Sequence, residues 1–160
     1  MYGPNNDDPS FFHNIFSILS NSNNLITAGD FNTIINPTID RSSTSGNLRN
    51  WHSTDTIKQY KEDYGLGDSW RMRESSLREY SYFSTVHQCS SRIDLFVISN
   101  SLIPKISDNK IHSIVISDHA AVSLSINTQT YAKTSTTWSF NTSLLDDPNF
   151  TTLLRQLGRP

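Results

Sequence analysis

Ser91-Arg92-Ile93-Asp94-Leu95-Phe96-Val97-Ile98-Ser99 decides how the chain is read. In an extended strand successive side chains point to opposite faces. Asp94 then shares a face with Phe96 and Ile98, while Ile93, Leu95 and Val97 occupy the other. Both faces are apolar, so the strand belongs inside a layered structure, and Asp94 is a carboxylate that needs a partner there. Two partners fit: Arg92, on the same face, in a salt bridge, or a histidine held in orientation by the carboxylate.

Working outward, residues 80–85 read as a strand and 86–90 as a hairpin turn leading into it. Downstream, residues 101–106 form a short turn or helix. Residues 111–116 and 121–126 read as two strands joined by Ser117-Asp118-His119. Toward the amino terminus, Asp8-Pro9 opens a helix, with aspartate as cap and proline at the first helical position. Phe11, Phe12, Ile15, Ile18 and Leu19 give it an apolar stripe, and residues 21–24 end it. Leu25 to Ala28 is a short buried strand stopped by Gly29. Residues 36–50 read as a polar surface loop, and 54–64 as a second helix with Ile57, Tyr60 and Tyr64 inward, ended by Gly65 and Gly67 with Trp70 beneath. After Gln129 the apolar residues Trp138, Phe140, Leu144, Leu145, Phe150, Leu153 and Leu154 are scattered through a polar tail. The expectation is a mixed α/β layered domain over residues 1–128 and a linker or tail over 129–160.

The 160 residues suffice for one domain. Apolar residues make up 35%, with serine, threonine and asparagine filling the difference, and the formal net charge is −2. A protein that coats nucleic acid carries a basic excess, so any DNA contact here is local and assisted by a cation. The single cysteine, Cys89, forms no intramolecular disulfide and reads as a small buried hydrophobe. No apolar run reaches membrane-spanning length, and the expected setting is intracellular, without a membrane partner.

Three places put polar residues at the ends of apolar strands, where stiff backbone lets side chains converge. In Gly29-Asp30-Phe31-Asn32 a carboxylate and an amide flank an inward phenylalanine, a pair suited to positioning a water and taking its proton. The second place is Arg92 with Asp94. The third is Ser117-Asp118-His119, where His119 can accept what Asp94 offers and Asp118 can bind a hard cation.

In this order, Tyr2-Gly3-Pro4-Asn5, Gly29-Asp30-Phe31-Asn32, Ser91-Arg92-Ile93-Asp94 and Ser117-Asp118-His119 resemble the later motifs of the exonuclease–endonuclease–phosphatase family. The nearer likeness is to the endonuclease domain of LINE-type (non-LTR) retrotransposon polyproteins, supported by Arg78-Glu79-Tyr80-Ser81-Tyr82-Phe83-Ser84 and by Asp118-His119-Ala120-Ala121-Val122. It spans roughly residues 2–127. It implies the carboxyl-terminal part of a four-layer α/β sandwich of the DNase I-like type, followed by a stretch leading toward a reverse transcriptase. It also implies roles. Asp30 orients or deprotonates water, and Asn32 holds water and phosphate. His119, oriented by Asp94, contacts the scissile phosphate, and Asp118 joins Asp30 at the metal. Tyr2 reaches the phosphate region as a catalytic group, and Asn5 contacts substrate. Arg92 is counted with the substrate contacts, as are His87 and Gln88 on a hairpin that resembles one pressed into the DNA groove. Lys58, Arg71, Arg73 and Arg78 read as solvated surface, and His13, His52 and His112 as structural or exposed.

The implied cofactor is Mg²⁺ or Mn²⁺, and the implied partner is duplex DNA in the nucleus. Family enzymes also carry an early asparagine and a metal-binding glutamate on strands that precede the Tyr-Gly-Pro-Asn motif. Only Met1 precedes Tyr2, so the expectation is a missing amino-terminal part, weak metal binding and little activity for the chain alone. Two other readings stay open: a retroelement remnant without activity, and another phosphoesterase of the fold such as an abasic-site endonuclease.

Overall fold

A computed structural model of the chain describes residues 1–19, 24–43, 52–128, 148, 151 and 152. The chain divides into two compact units, Met1–Thr128 and Gln129–Pro160. The apolar residues of the tail named above lie outside the described residues, as do residues 20–23, where the first helix is expected to end. Among the described residues no helix is long and apolar enough to cross a membrane.

Helix α1 spans Pro9–Leu19, and the Asp8 carboxylate accepts a hydrogen bond from the Ser10 amide at 3.0 Å, the N-cap read from the sequence. Strand β1 is Ile26–Asp30 and helix α2 is His52–Asp63. The start of α2 is capped from far away: Asp7 accepts from the amides of His52 and Ser53, both at 2.8 Å. Strand β2, Leu66–Asp68, runs directly into helix α3, Ser69–Arg73, whose N-cap is Asp68. Neither was legible as an element, because three residues centred on a glycine and a five-residue helix carry no period. Strands β3 (Tyr82–Ser84) and β4 (Cys89–Ser91) pair as a hairpin, so the hairpin closes within the segment read as its turn, and the strand that follows pairs elsewhere. Strand β5 is Asp94–Ser99, followed by a 3-10 helix over Asn100–Lys105, then β6 (Ile106–Ile111) and β7 (Val122–Ile126).

The sheets are antiparallel. One has the order β1-β5-β2, and β3-β4 and β6-β7 each form a pair. Phe12, Phe16, Leu25, Phe31, Ile35, Ile57, Leu66, Leu95 and Val97 make the core, so α1 and α2 cover one face of the β5 sheet. Burying such side chains stabilises by about 1.5–3 kcal/mol each.

Two expectations are corrected. The strand placed over residues 111–116 lies one element earlier, at Ile106–Ile111. Its pairing with β7 runs from Ile106–Ile126 to Ile111–Val122, and this leaves residues 112–121 as the connection. Ile114, Val115 and Ile116 are consequently 42%, 82% and 98% exposed, an aliphatic run without a sheet to bury it. The second correction concerns Arg92. It is only 1% exposed and does not reach solvent or Asp94. Its guanidinium bonds Asp40 at 2.8 and 3.1 Å and Asp68 at 3.2 and 2.6 Å. Arg71 adds a second cation on Asp40, with its Nε at 3.0 Å. A charge taken out of water is tolerated only when paired in this way, which makes Arg92 a structural residue rather than a substrate contact.

Candidate active site

Asp30 ends β1 and Asp94 begins β5, and the antiparallel register places them directly opposite each other. Facing like charges destabilise a sheet, so this pair needs a proton or a cation between its members. Burial, the facing Asp94 and the more distant Asp118 push the Asp30 carboxyl above its ordinary value, against the opposing pull of the Asn32 amide and His119. A carboxylate tuned upward in this way is a stronger base than a free one.

His119 supplies the third group. Its Nδ1 lies 2.9 Å from Asp94 Oδ2, and its Nε2 lies 3.9 Å from Asp30 Oδ2. The shorter contact is a hydrogen bond and the longer is not. With Nδ1–H donated to Asp94, Nε2 is turned toward the space beside Asp30. Of the two partners the sequence offered Asp94, the fold uses the histidine.

The loop bearing His119 is tied down by the β3–β4 hairpin. Phe83 donates its amide to the Asp118 carbonyl at 2.9 Å, and Ala120 donates to the Ser81 carbonyl at 2.7 Å. The Tyr82 ring sits 4.8 Å from the imidazole, centroid to centroid. Ser81 joins the two halves of the site. It is fully buried, and its hydroxyl accepts from the amides of Ile93 and Asp94 at 3.2 and 3.0 Å. One residue thus fixes the start of β5 through its side chain and the His119 loop through its backbone. Sequence reasoning passed over it. The available signal was a serine at the mouth of a hairpin beside a strand that begins with a carboxylate. Ser81→Ala orphans two buried amides and is expected to lower stability by about 1–3 kcal/mol, read from urea unfolding. An unchanged midpoint would count against this joint.

Asn32 follows at a tight turn, with φ of 48°, a left-handed value that asparagine tolerates. Its amide donates to Asp30 Oδ1 at 2.7 Å and its side-chain Nδ2 donates to the Gly3 carbonyl at 2.7 Å. Gly3 in turn donates its amide to the Asp30 carbonyl at 2.7 Å. A side chain at Gly3 would collide with the Phe31 backbone, so glycine is required for this approach. Tyr2 pairs with Asp30 through a parallel bridge while its side chain is 69% exposed. Asn5 is exposed.

The structure therefore gathers Asp30, Asp94 and His119, with Asn32 and Tyr2 beside them. Asp118 is exposed and bonded to the Ser117 hydroxyl at 3.2 Å; its charge reaches Asp30. His87 and Gln88 are exposed on the β3–β4 turn. Arg92 stands apart in the core. One oxygen each from Asp30 and Asp94 and one nitrogen of His119 lie within 4.8 Å of one another. Two carboxylates and an imidazole fit a hard divalent ion that keeps some of its water, and Mn²⁺ accepts the nitrogen more readily than Mg²⁺ does.

No protein-family model matches the chain. It is 28% identical over 137 residues to the transposon TX1 uncharacterized 149 kDa protein of Xenopus laevis. That match covers 84% of this chain, and the chain spans a tenth of the relative's length. Among solved structures, the catalytic domain of Xenopus laevis APE2 matches with TM-score 0.63 and 20% identity, over 74% of this chain and 42% of that one. The AP endonuclease LMAP of Leishmania major matches with TM-score 0.55 and 20% identity, over 62% and 34%. The 3′ phosphatase NExo of Neisseria, solved with a product DNA hairpin, matches with TM-score 0.52 and 18% identity, over 73% and 50%. The fold is of the DNase I-like type, a mixed α/β arrangement of antiparallel sheets, and the resemblance read from the motifs extends to these nuclease-fold proteins and to a transposon protein.

Proposed function

We propose that the chain is a metal-assisted DNA endonuclease module of the exonuclease–endonuclease–phosphatase kind, of retroelement type, which hydrolyses one phosphodiester bond and leaves a 3′-hydroxyl. The observation that carries this reading is the Asp94–His119 hydrogen bond set beside Asp30 on the facing strand. The likeness to a transposon protein supports the retroelement setting, with the module working in the nucleus next to a reverse transcriptase.

In this mechanism Asp30 accepts a proton from the attacking water, helped by its raised pKa. Asn32 holds the Gly3 segment against the site and keeps its Oδ1 for that water. His119 donates from Nε2 to the phosphoryl oxygen on which charge develops, while Asp94 holds Nδ1 and stabilises the imidazolium. Tyr2 and Asn5 flank the phosphate, and His87 and Gln88 approach the duplex. A bound divalent ion would be held by Asp30, with Asp118 and the second oxygen of Asp94 close by, and would neutralise phosphate charge. One Asp94 oxygen is already engaged by His119, so the site binds Mg²⁺ weakly and turns over slowly.

The test is nicking of supercoiled plasmid with the protein in excess over DNA, in Mg²⁺ or Mn²⁺. Cleavage is expected to be slow, lost on chelation, and to leave ends that a polymerase extends. No cutting with either ion, or cutting that persists in chelator, would remove the reading. A second reading, cleavage at abasic sites, is favoured by the AP endonuclease named among the structural matches. A duplex bearing one abasic site, compared with the same duplex intact, separates the two, since a retroelement-type enzyme cuts both.

A further inference from the structure

On the far side of the Arg92 cluster, a cavity of ≈ 390 Å³ lies between α2 and residues 35–40. None of Asp30, Asp94 or His119 lines it. Its floor is apolar, from Ile35, Pro37 and Ile39. Its negative groups are already answered: Asp40 and Asp68 are each bonded by Arg92, and Asp40 also by Arg71. Arg71 is itself fully engaged, since its guanidinium also donates to the carbonyls of Glu74 and Leu77 at 2.9 and 2.7 Å.

The donors that remain point one way chemically. Lys58 and Lys61 line the cavity, three apart on α2 and therefore on one face of it. Neither ammonium has a hydrogen-bond or ion-pair partner among the described residues. Asn36 uses its side-chain oxygen on the Thr38 amide at 3.1 Å, which leaves its NH₂ group to donate elsewhere. The Ser75 hydroxyl is likewise without a partner. Two cations and two neutral donors thus surround a cavity whose carboxylates are satisfied internally. Its size lies within the range of small-ligand sites.

We infer that this cavity is an anion site that takes a phosphate group, from a free mononucleotide or from the terminal phosphate of a DNA strand. The lysines supply the charge, Asn36 and Ser75 the orientation, and the isoleucines and proline a surface for a base or sugar. The inference stands apart from the nuclease reading, because it uses none of that reading's residues.

The experiment measures binding of inorganic phosphate, of dAMP and of a 5′-phosphorylated dinucleotide to the full chain, by amide chemical shifts or calorimetry. His119→Ala protein is used so that the candidate active site does not contribute. Saturable binding with shifts confined to residues 35–40 and α2 is expected. Lys58→Gln/Lys61→Gln should weaken it by about tenfold or more, as expected for lost charge-assisted hydrogen bonds. Both lysines sit on the surface side of α2, so the variant should melt as the parent does. Tighter binding of dAMP than of the dinucleotide assigns the cavity to free nucleotides, and the reverse to strand ends. Binding unchanged in the double variant, shifts located elsewhere, or no binding of any probe would overturn the assignment.

Discussion

Arg92→Leu is expected to destabilise Met1–Thr128 by about 3–5 kcal/mol, a large share of the roughly 5–15 kcal/mol that holds a domain together. Melting should fall by roughly 10–20 °C. The loss follows from what is left behind. Asp68, 2% exposed, would keep only the amides of Trp70 and Arg71, and Asp40 would keep only Arg71 and the Asn36 amide. Arg92→Lys preserves one charge but not the fork that bonds two carboxylates together, so it should recover only part of the loss. Arg92→Leu/Asp68→Asn should be more stable than Arg92→Leu, because it removes the stranded charge. Such coupling distinguishes a buried ion cluster from simple loss of packing.

The same cluster sets the acid response. Burial pushes the Asp40 carboxyl up, but hydrogen bonds and charge from Arg92 and Arg71 outweigh it and hold the group below its ordinary value of 3.8. A depressed folded pKa means stabilisation that is complete above the unfolded value and lost as pH falls through the folded one. In Arg92→Leu the Asp40 carboxyl loses the larger part of that pull, and the penalty of a stranded charge is relieved as low pH protonates it. The melting gap between parent and variant should therefore narrow from pH 7 to pH 4. A gap of constant width would mean that Arg92 matters for its volume and not for its charge.

How much of this was legible depended on distance along the chain. The alternation from Ile93 to Ile98 gave β5 directly, and it marked Asp94 as a buried acid in want of a partner. It did not say which partner, because Arg92 precedes the first residue of β5, where strand alternation no longer governs. Arg92 instead turns to Asp40 and Asp68, 52 and 24 residues away. No local pattern encodes such a pairing. Residues 111–116 were misplaced for a related reason. An aliphatic run has no intrinsic register, and the register was set by β7. The capping of α2 by Asp7 and the joint at Ser81 were invisible because each acts through main-chain amides, which every sequence possesses. Of the meeting of Asp30, Asp94 and His119, the pairing of Asp94 with a histidine was legible from the residues, and motif order brought in Asp30.

The structure leaves Asp94 with two possible offices, orienting His119 and holding a cation, and kinetics can separate them. His119→Ala should lower single-turnover cleavage by about 10²–10⁴-fold, the range for losing a general acid or a preorganised donor to the phosphoryl oxygen. Asp94→Asn should cost about 10²-fold or more, because a neutral amide no longer stabilises the imidazolium and holds the ring less firmly. If Asp94 works through the imidazole, His119→Ala/Asp94→Asn should be no slower than His119→Ala alone, the non-additivity of residues that act as a unit. The Mg²⁺ concentration for half-maximal rate should then be unchanged by Asp94→Asn. If Asp94 is a ligand, the double variant falls further and demands more Mg²⁺. Its hydrogen bond to His119 is 2.9 Å long and its strand position is fixed opposite Asp30. That geometry favours the first outcome, since the oxygen facing the imidazole is committed to it and only the other is left for a cation.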